Sequence, residues 1–135
     1  MRIGLRTWGS DGNIRPMSAL ADGLRARGHT VTIAVTSIDN KEYRPLAESL
    51  GVVLRPVGRF DPSGEKYEGL AAKLMELSPS SILKQFRLVM ETLFEPVEEE
   101  MFHAAESLCA KSGLVIGHFL LHPLHAAAER SGSPM

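Results

Sequence analysis

The chain has one cysteine, Cys109, among 135 residues, so no disulfide can form within it. That fits a reducing compartment, and Cys109 itself reads as a small buried residue on a helix rather than a nucleophile. Long apolar runs are also missing. None approaches the roughly 18 residues needed to span a bilayer, and Met1-Arg2 leads directly into a strand, so a soluble, cytoplasmic protein is expected. Neither sign of charge dominates: 15 Lys and Arg against 16 Asp and Glu leave a formal charge of −1. A general attraction to nucleic acid or to an anionic membrane is thereby excluded. The balance is uneven along the chain, with nine cations and five anions in residues 1–60 and six and eleven in 61–135. The acidic half reads as a solvated helix surface.

Three fingerprints are lacking as well. Gly4, Gly9 and Gly12 do not have the Gly-x-Gly-x-x-Gly spacing of a dinucleotide site, and no Gly-Lys-Ser/Thr marks a P-loop. Gly9-Ser10-Asp11-Gly12 has the wrong spacing for a nucleophile elbow. Repeats and low-complexity segments are absent too.

What the chain does have is an alternation of β and α patterns within a length that suits one domain, and 44% apolar residues to build a core. Arg2 to Thr7 reads as a strand that stops at a glycine-loosened polar stretch, Thr7 to Pro16. Pro16 suits the first position of a helix whose apolar face is Met17, Leu20, Ala21 and Leu24, and Gly28 ends it. His29 reads as a turn residue. Thr30 to Thr36 is a β-branched run suited to a strand buried on both faces. A helix is expected over Asn40 to Leu50, with Tyr43, Leu46, Ala47 and Leu50 on one face, then a strand over Val52 to Val57 and a loop over 58–65 that contains Pro62 and Gly64.

Tyr67, Leu70, Ala71, Leu74 and Leu77 mark another helix, and Ser78-Pro79-Ser80 separates it from the next. There Ile82, Phe86, Val89, Met90, Leu93, Val97 and Met101 form a stripe, kinked or divided at Pro96. The stripe either packs against the sheet or walls a bulky apolar ligand. Leu114 to His118 reads as a fourth strand, and Pro123 sits just inside a helix that runs to Gly132. Ser133-Pro134-Met135 looks like a turn into a further strand, so the chain reads as a piece of a larger protein. The sum is a doubly wound, mainly parallel α/β sheet with helices on both faces. Ligands gather beyond the carboxyl ends of such strands, where the first loop lies.

His118, His122 and His125 invite a metal reading, but a strand end and a helix start do not bring them together by period, and no metal is expected. A histidine at the strand end, facing the first loop, can instead bind a hydroxyl or act as a base. His103 reads as a helix-surface residue.

Gly9 to Pro16, followed by Ala19-Leu20-Ala21 and Leu24 to Val31, resembles the N-terminal domain of family 28 glycosyltransferases. The resemblance continues through Leu114 to His118 and Ala126 to Gly132 as far as Pro134, so it covers essentially the whole chain, and is weakest over 57–110. It implies half of a GT-B architecture, two Rossmann-like domains facing across a cleft. Residues 1–135 would be the acceptor-binding domain, and a C-terminal donor domain, absent here, would bind most of a nucleoside diphosphate sugar, with no other cofactor. The implied reaction moves a hexose to a hydroxyl of a lipophilic or natural-product acceptor, with inversion, and the isolated domain would be inactive.

Within the resemblance, Gly9, Ser10, Gly12, Arg15 and His122 would contact acceptor or diphosphate. Many family members carry a catalytic aspartate at the position of Asn13, whose amide is a poor base. Asp11 or His118 would then take the proton, or Asn13 only positions the hydroxyl. The pocket for the acceptor would come from residues 57–110. Self-association through a truncated sheet edge is a further expectation. The competing expectation is a complete flavodoxin-like module that binds a small anion or a protein partner.

Overall fold

The computed structural model describes residues 1–60, 65–118 and 120–135, without the side chains of 65–68 and 71. Pro62 and Gly64, and the side chains of Tyr67 and Ala71, lie outside the described residues. Among the described residues four strands, β1 (Arg2–Gly9), β2 (Thr30–Ser37), β3 (Val53–Pro56) and β4 (Leu114–Gly117), pair in parallel in the order β3-β2-β1-β4. Parallel neighbours need crossovers, and among the described residues five helices supply them: α1 (Asp11–Ala26), α2 (Arg44–Leu50), α3 (Glu65–Glu76), α4 (Ile82–Leu93) and α5 (Glu98–Lys111), while α6 (His122–Ser131) follows β4. The expected doubly wound α/β architecture is present.

Each sheet face has its own apolar cluster. On one side Ile14 and Ala21 of α1 and Ala47 of α2 pack against Leu5, Ile33 and Val35. On the other, Met101, Ala105 and Leu108 of α5 and Leu124 and Ala127 of α6 pack with Trp8, Ala34 and Val115. Cys109 is buried on α5, as its composition suggested.

Several boundaries differ from the sequence expectation. Helix α1 begins at Asp11 rather than Pro16, so most of the expected loop is the first turn of a helix and Pro16 lies inside it. Packing outweighs the proline because starting early buries Ile14 and turns Ser18 and Ala21 inward, while Leu20 stays 39% exposed. Helix α2 starts at Arg44, with a proline in its first turn, rather than at Asn40. Asn40 adopts a left-handed φ of 54°, and its side chain donates to the Phe60 carbonyl at 2.6 Å and accepts from the Phe60 N–H at 3.2 Å. Those bonds tie together the turns after β2 and β3, which gives Asn40 a role outside any helix.

The stripe divides at Pro96, within a 3-10 turn Glu95–Val97, as its proline suggested. Its two ends behave differently. Leu93, Val97 and Met101 are buried, whereas Ile82 (69%) and Phe86 (46%) stay exposed, so only the later part packs inward. At the other end of the chain, the Pro134 carbonyl accepts the Val115 N–H at 3.0 Å along the outer edge of β4. Among the described residues no helix is long and apolar enough to cross a membrane.

Candidate functional site at the carboxyl ends of β1 and β4

From β1 the chain steps outward to β2 and β3, then returns to place β4 on β1's other side. The carboxyl ends of β1 and β4 therefore flank the switch point, where parallel sheets open a crevice. Strand β1 runs straight into α1 through Gly9 and Ser10. Gly9 has φ of 134°, a region L side chains rarely adopt, and a Cβ there would lie 2.3 Å from Asn13 Nδ2. The glycine thus lets the Asn13 side chain fold back over the strand end. The Ser10 hydroxyl makes no capping bond, while its carbonyl accepts the Asn13 and Ile14 N–H groups, each at 3.0 Å. The first N–H groups of α1, on Asp11 and Gly12, are left at the positive end of a 16-residue helix. That end suits an anion.

His118, the residue after β4, lies across from this junction. Its Nε2 is 3.4 Å from the Trp8 carbonyl. A carbonyl only accepts, so Nε2 carries the proton and the lone pair sits on Nδ1. Partial burial, reinforced by the nearby Arg6 charge and opposed by the Trp8 carbonyl, holds the imidazole below its usual pKa of 6.5. It is neutral at pH 7 and able to accept a proton. A depressed histidine pKa means the unfolded chain takes up the proton first, so this group's stabilisation is full above pH 6.5 and falls away at lower pH. Replacing His118 with Gln should flatten that part of a denaturation profile measured between pH 7 and 5.

Asp11 faces elsewhere. Its carboxylate accepts from the Tyr43 hydroxyl at 2.6 Å and from Lys41 Nζ at 2.7 Å, with Arg15 Nε at 3.6 Å. The Lys41 and Tyr43 hydrogen bonds lower its pKa below the ordinary carboxylate value, opposed by desolvation and helped by the Lys41 and Arg15 charges. Tyr43 is correspondingly raised, first by burial and then by Asp11. Both carboxylate oxygens are engaged, and the group ties α1 to the segment before α2.

His122, the first residue of α6, forms a second centre. Its Nε2 lies 2.5 Å from Glu98 Oε1, and its ring stacks on Phe94 with centroids 4.9 Å apart. Phe94 in turn meets Trp8 edge to face at 5.5 Å, and the Trp8 indole N–H donates to the Leu93 carbonyl at 2.9 Å. A cleft of about 450 Å³ opens beside this stack, lined by Glu95, Glu98, Phe102 and His122. His118 and the Gly9 to Asn13 turn are thus on adjacent strand ends, His122 joins them through aromatic contacts, and Asp11 with Arg15 lies toward the β2 side. Trp8, Phe94, Tyr43 and Glu98 were not legible as site residues, although the single tryptophan at a strand end was a visible signal. His103 is on the surface of α5, 3.4 Å from Glu106. Among the described residues no group of three or more His, Cys, Asp or Glu is placed to hold a metal ion.

No family model matches the chain. Solved structures share its fold: the Streptomyces sp. SF2575 glycosyltransferase SsfS6, complexed with thymidine diphosphate, aligns with a TM-score of 0.64 at 22% identity over 99% of this chain and 37% of that one. The C-terminal domain of a Pyrococcus furiosus hydrogenase also aligns, with a TM-score of 0.60 at 14% identity over 99% of this chain and 88% of that one. The chain has an α/β Rossmann-like fold that matches glycosyltransferases of GT-B architecture. In sequence, 64 residues are 44% identical to O-mycaminosyltylonolide 6-deoxyallosyltransferase of Streptomyces fradiae, covering 47% of this chain and 14% of that protein. The chain therefore spans a minor part of the length of the transferases it resembles. A stand-alone flavodoxin-like module is not favoured by this likeness to a transferase.

Proposed function

We propose that residues 1–135 are the acceptor-binding domain of a glycosyltransferase that moves a hexose from a nucleoside diphosphate sugar to a hydroxyl of a lipophilic or natural-product acceptor, with inversion. The observation that carries this reading is the switch-point pair of a glycine-permitted strand-to-helix turn holding Asn13 and a neutral His118 on the next strand end. The curated relative, named as a deoxyallosyltransferase, supports the reaction class. The exposed apolar surface of Ile82, Leu83 and Phe86 on α4 supports a lipophilic acceptor.

In the proposed mechanism the acceptor hydroxyl lies between Asn13 and His118. Nδ1 of His118 takes its proton as the oxygen attacks the anomeric carbon, and the diphosphate leaves from the opposite face. Asn13 orients the hydroxyl through its amide. The N-terminus of α1 eases the charge on the departing diphosphate. Asp11, held by Lys41 and Tyr43, stiffens the turn without touching the proton. A donor-binding domain outside this chain supplies most of the nucleotide contacts.

The test is turnover by the protein that contains both domains. His118→Ala is expected to lower kcat about 100-fold or more, the ordinary worth of a general base, with little change in KM for the acceptor. Asp11→Ala should cost much less. Wild-type kcat in the His118 variant overturns His118 as the base, and hexose transfer by residues 1–135 alone overturns the division into acceptor and donor domains.

A further inference from the structure

A second concave site lies on the α5 face of the sheet, away from the switch point. Helix α5 packs over β1, β2 and β4, and among the described residues it makes no comparable contact with β3. The gap between α5 and β3 is a groove of about 340 Å³, within the range of small-molecule sites. Its walls carry Arg2 from β1, Arg55 from β3 and Lys111 from the last turn of α5, and no described carboxylate lines it. None of these three cations forms an ion pair with any described carboxylate. Thr32 and Ser107 add hydroxyls, and Leu108 gives an apolar floor. The C-terminal end of a helix repels anions, and Lys111 reverses the sign of that end. Three like charges line one groove with no described anion among its walls to offset them, an arrangement that an external anion relieves.

We infer that this groove binds a phosphorylated small molecule, its phosphate held between the Arg2 and Arg55 guanidinium groups and Lys111, and its less polar body resting on Leu108. Planar guanidinium forks match phosphate oxygens, and the hydroxyls complete the contacts. This site is separate from the proposed transfer cleft, and it does not depend on that reading.

The probe is adenosine monophosphate, titrated into the isotopically labelled chain at low salt and followed through backbone amide resonances. Saturable shifts are expected at Thr30 to Ala34, Arg55 and Ser107 to Ser112, with inorganic phosphate binding more weakly. Arg55→Gln and Arg2→Gln should each weaken binding about fivefold or more, while Arg87→Gln, a charge removed from α4, should leave it unchanged. Dispersed amide spectra show whether each variant folds. The inference is overturned by the absence of saturable shifts in the groove, by equal weakening in Arg87→Gln, or by inorganic phosphate binding as tightly as the nucleotide. Shifts confined to Ser10 to Asn13 also overturn it, since they belong to the proposed transfer cleft.

Discussion

Arg6→Ala is expected to destabilise the protein by about 3 kcal/mol, whereas Arg6→Met should stay within about 1 kcal/mol of wild type. Arg6 is 1% exposed at the centre of β1. Among the described residues no carboxylate pairs with it. Its guanidinium donates instead to neutral oxygens, the carbonyls of Thr7 and Ala34 and the Thr36 hydroxyl, the last at 2.6 Å. Burial lowers its pKa from 12.5 to about 10, which corresponds to about 3 kcal/mol held against the charged form. Methionine removes that penalty and nearly fills the space, at the loss of hydrogen bonds to acceptors that are themselves uncharged. Alanine removes the penalty too, but it leaves a cavity under α5 and strips the packing of a long side chain. Urea denaturation of the two variants decides the matter. If methionine proves as damaging as alanine, hydrogen bonding rather than volume is what Arg6 contributes.

Gly9→Ala is expected to lower stability by about 2 kcal/mol and the melting temperature by about 8 °C. Two separate causes add. The φ of 134° disfavours any Cβ, and that Cβ would also lie 2.3 Å from Asn13 Nδ2 and 3.2 Å from Asn13 Cβ. The exposed Asn13 side chain can swing away, so the contact costs less in stability than in geometry: the amide leaves the place it holds over the strand end. Combining Gly9→Ala with Asn13→Ala separates the two causes. The amide clash disappears in the double variant, so a coupling of about 0.5 kcal/mol or more is expected beside a residual loss from backbone strain. Strict additivity would mean that Asn13 does not rest on Gly9. In the protein with both domains, the same glycine substitution should lower transfer, because it displaces the amide proposed to orient the acceptor hydroxyl.

The two substitutions also mark where the sequence was readable. The four strands were legible because β-branched and apolar runs bounded by glycine admit few alternatives, and the parallel βαβ arrangement followed from their alternation with helical periods. Gly9 was visible as a punctuating residue, and His118 as a histidine ending a buried strand. The start of α1 was not. Local chemistry favoured Pro16 as the first helical residue, yet the helix extends back to Asp11, because burying Ile14 outweighs a proline within the helix. Asn40 looked like a helix start and proved to be a link between two turns, since its partner Phe60 is twenty residues away.

The sequence by itself determined the α/β class, a glycine-loosened turn after the first strand and the absence of a disulfide within these 135 residues, since each depends on period, on residue conformational preference or on counting. Tertiary structure alone decided the partners. A side chain's neighbours across a parallel sheet come from crossovers, not from its own segment. Thus Arg6 met Thr36, Asp11 met Lys41 and Tyr43, and His122 met Glu98 and Phe94. Those meetings set the charge states. They buried a cation without an anion, engaged the carboxylate that had stood as a candidate base, and left a neutral His118 beside the turn that Asn13 occupies.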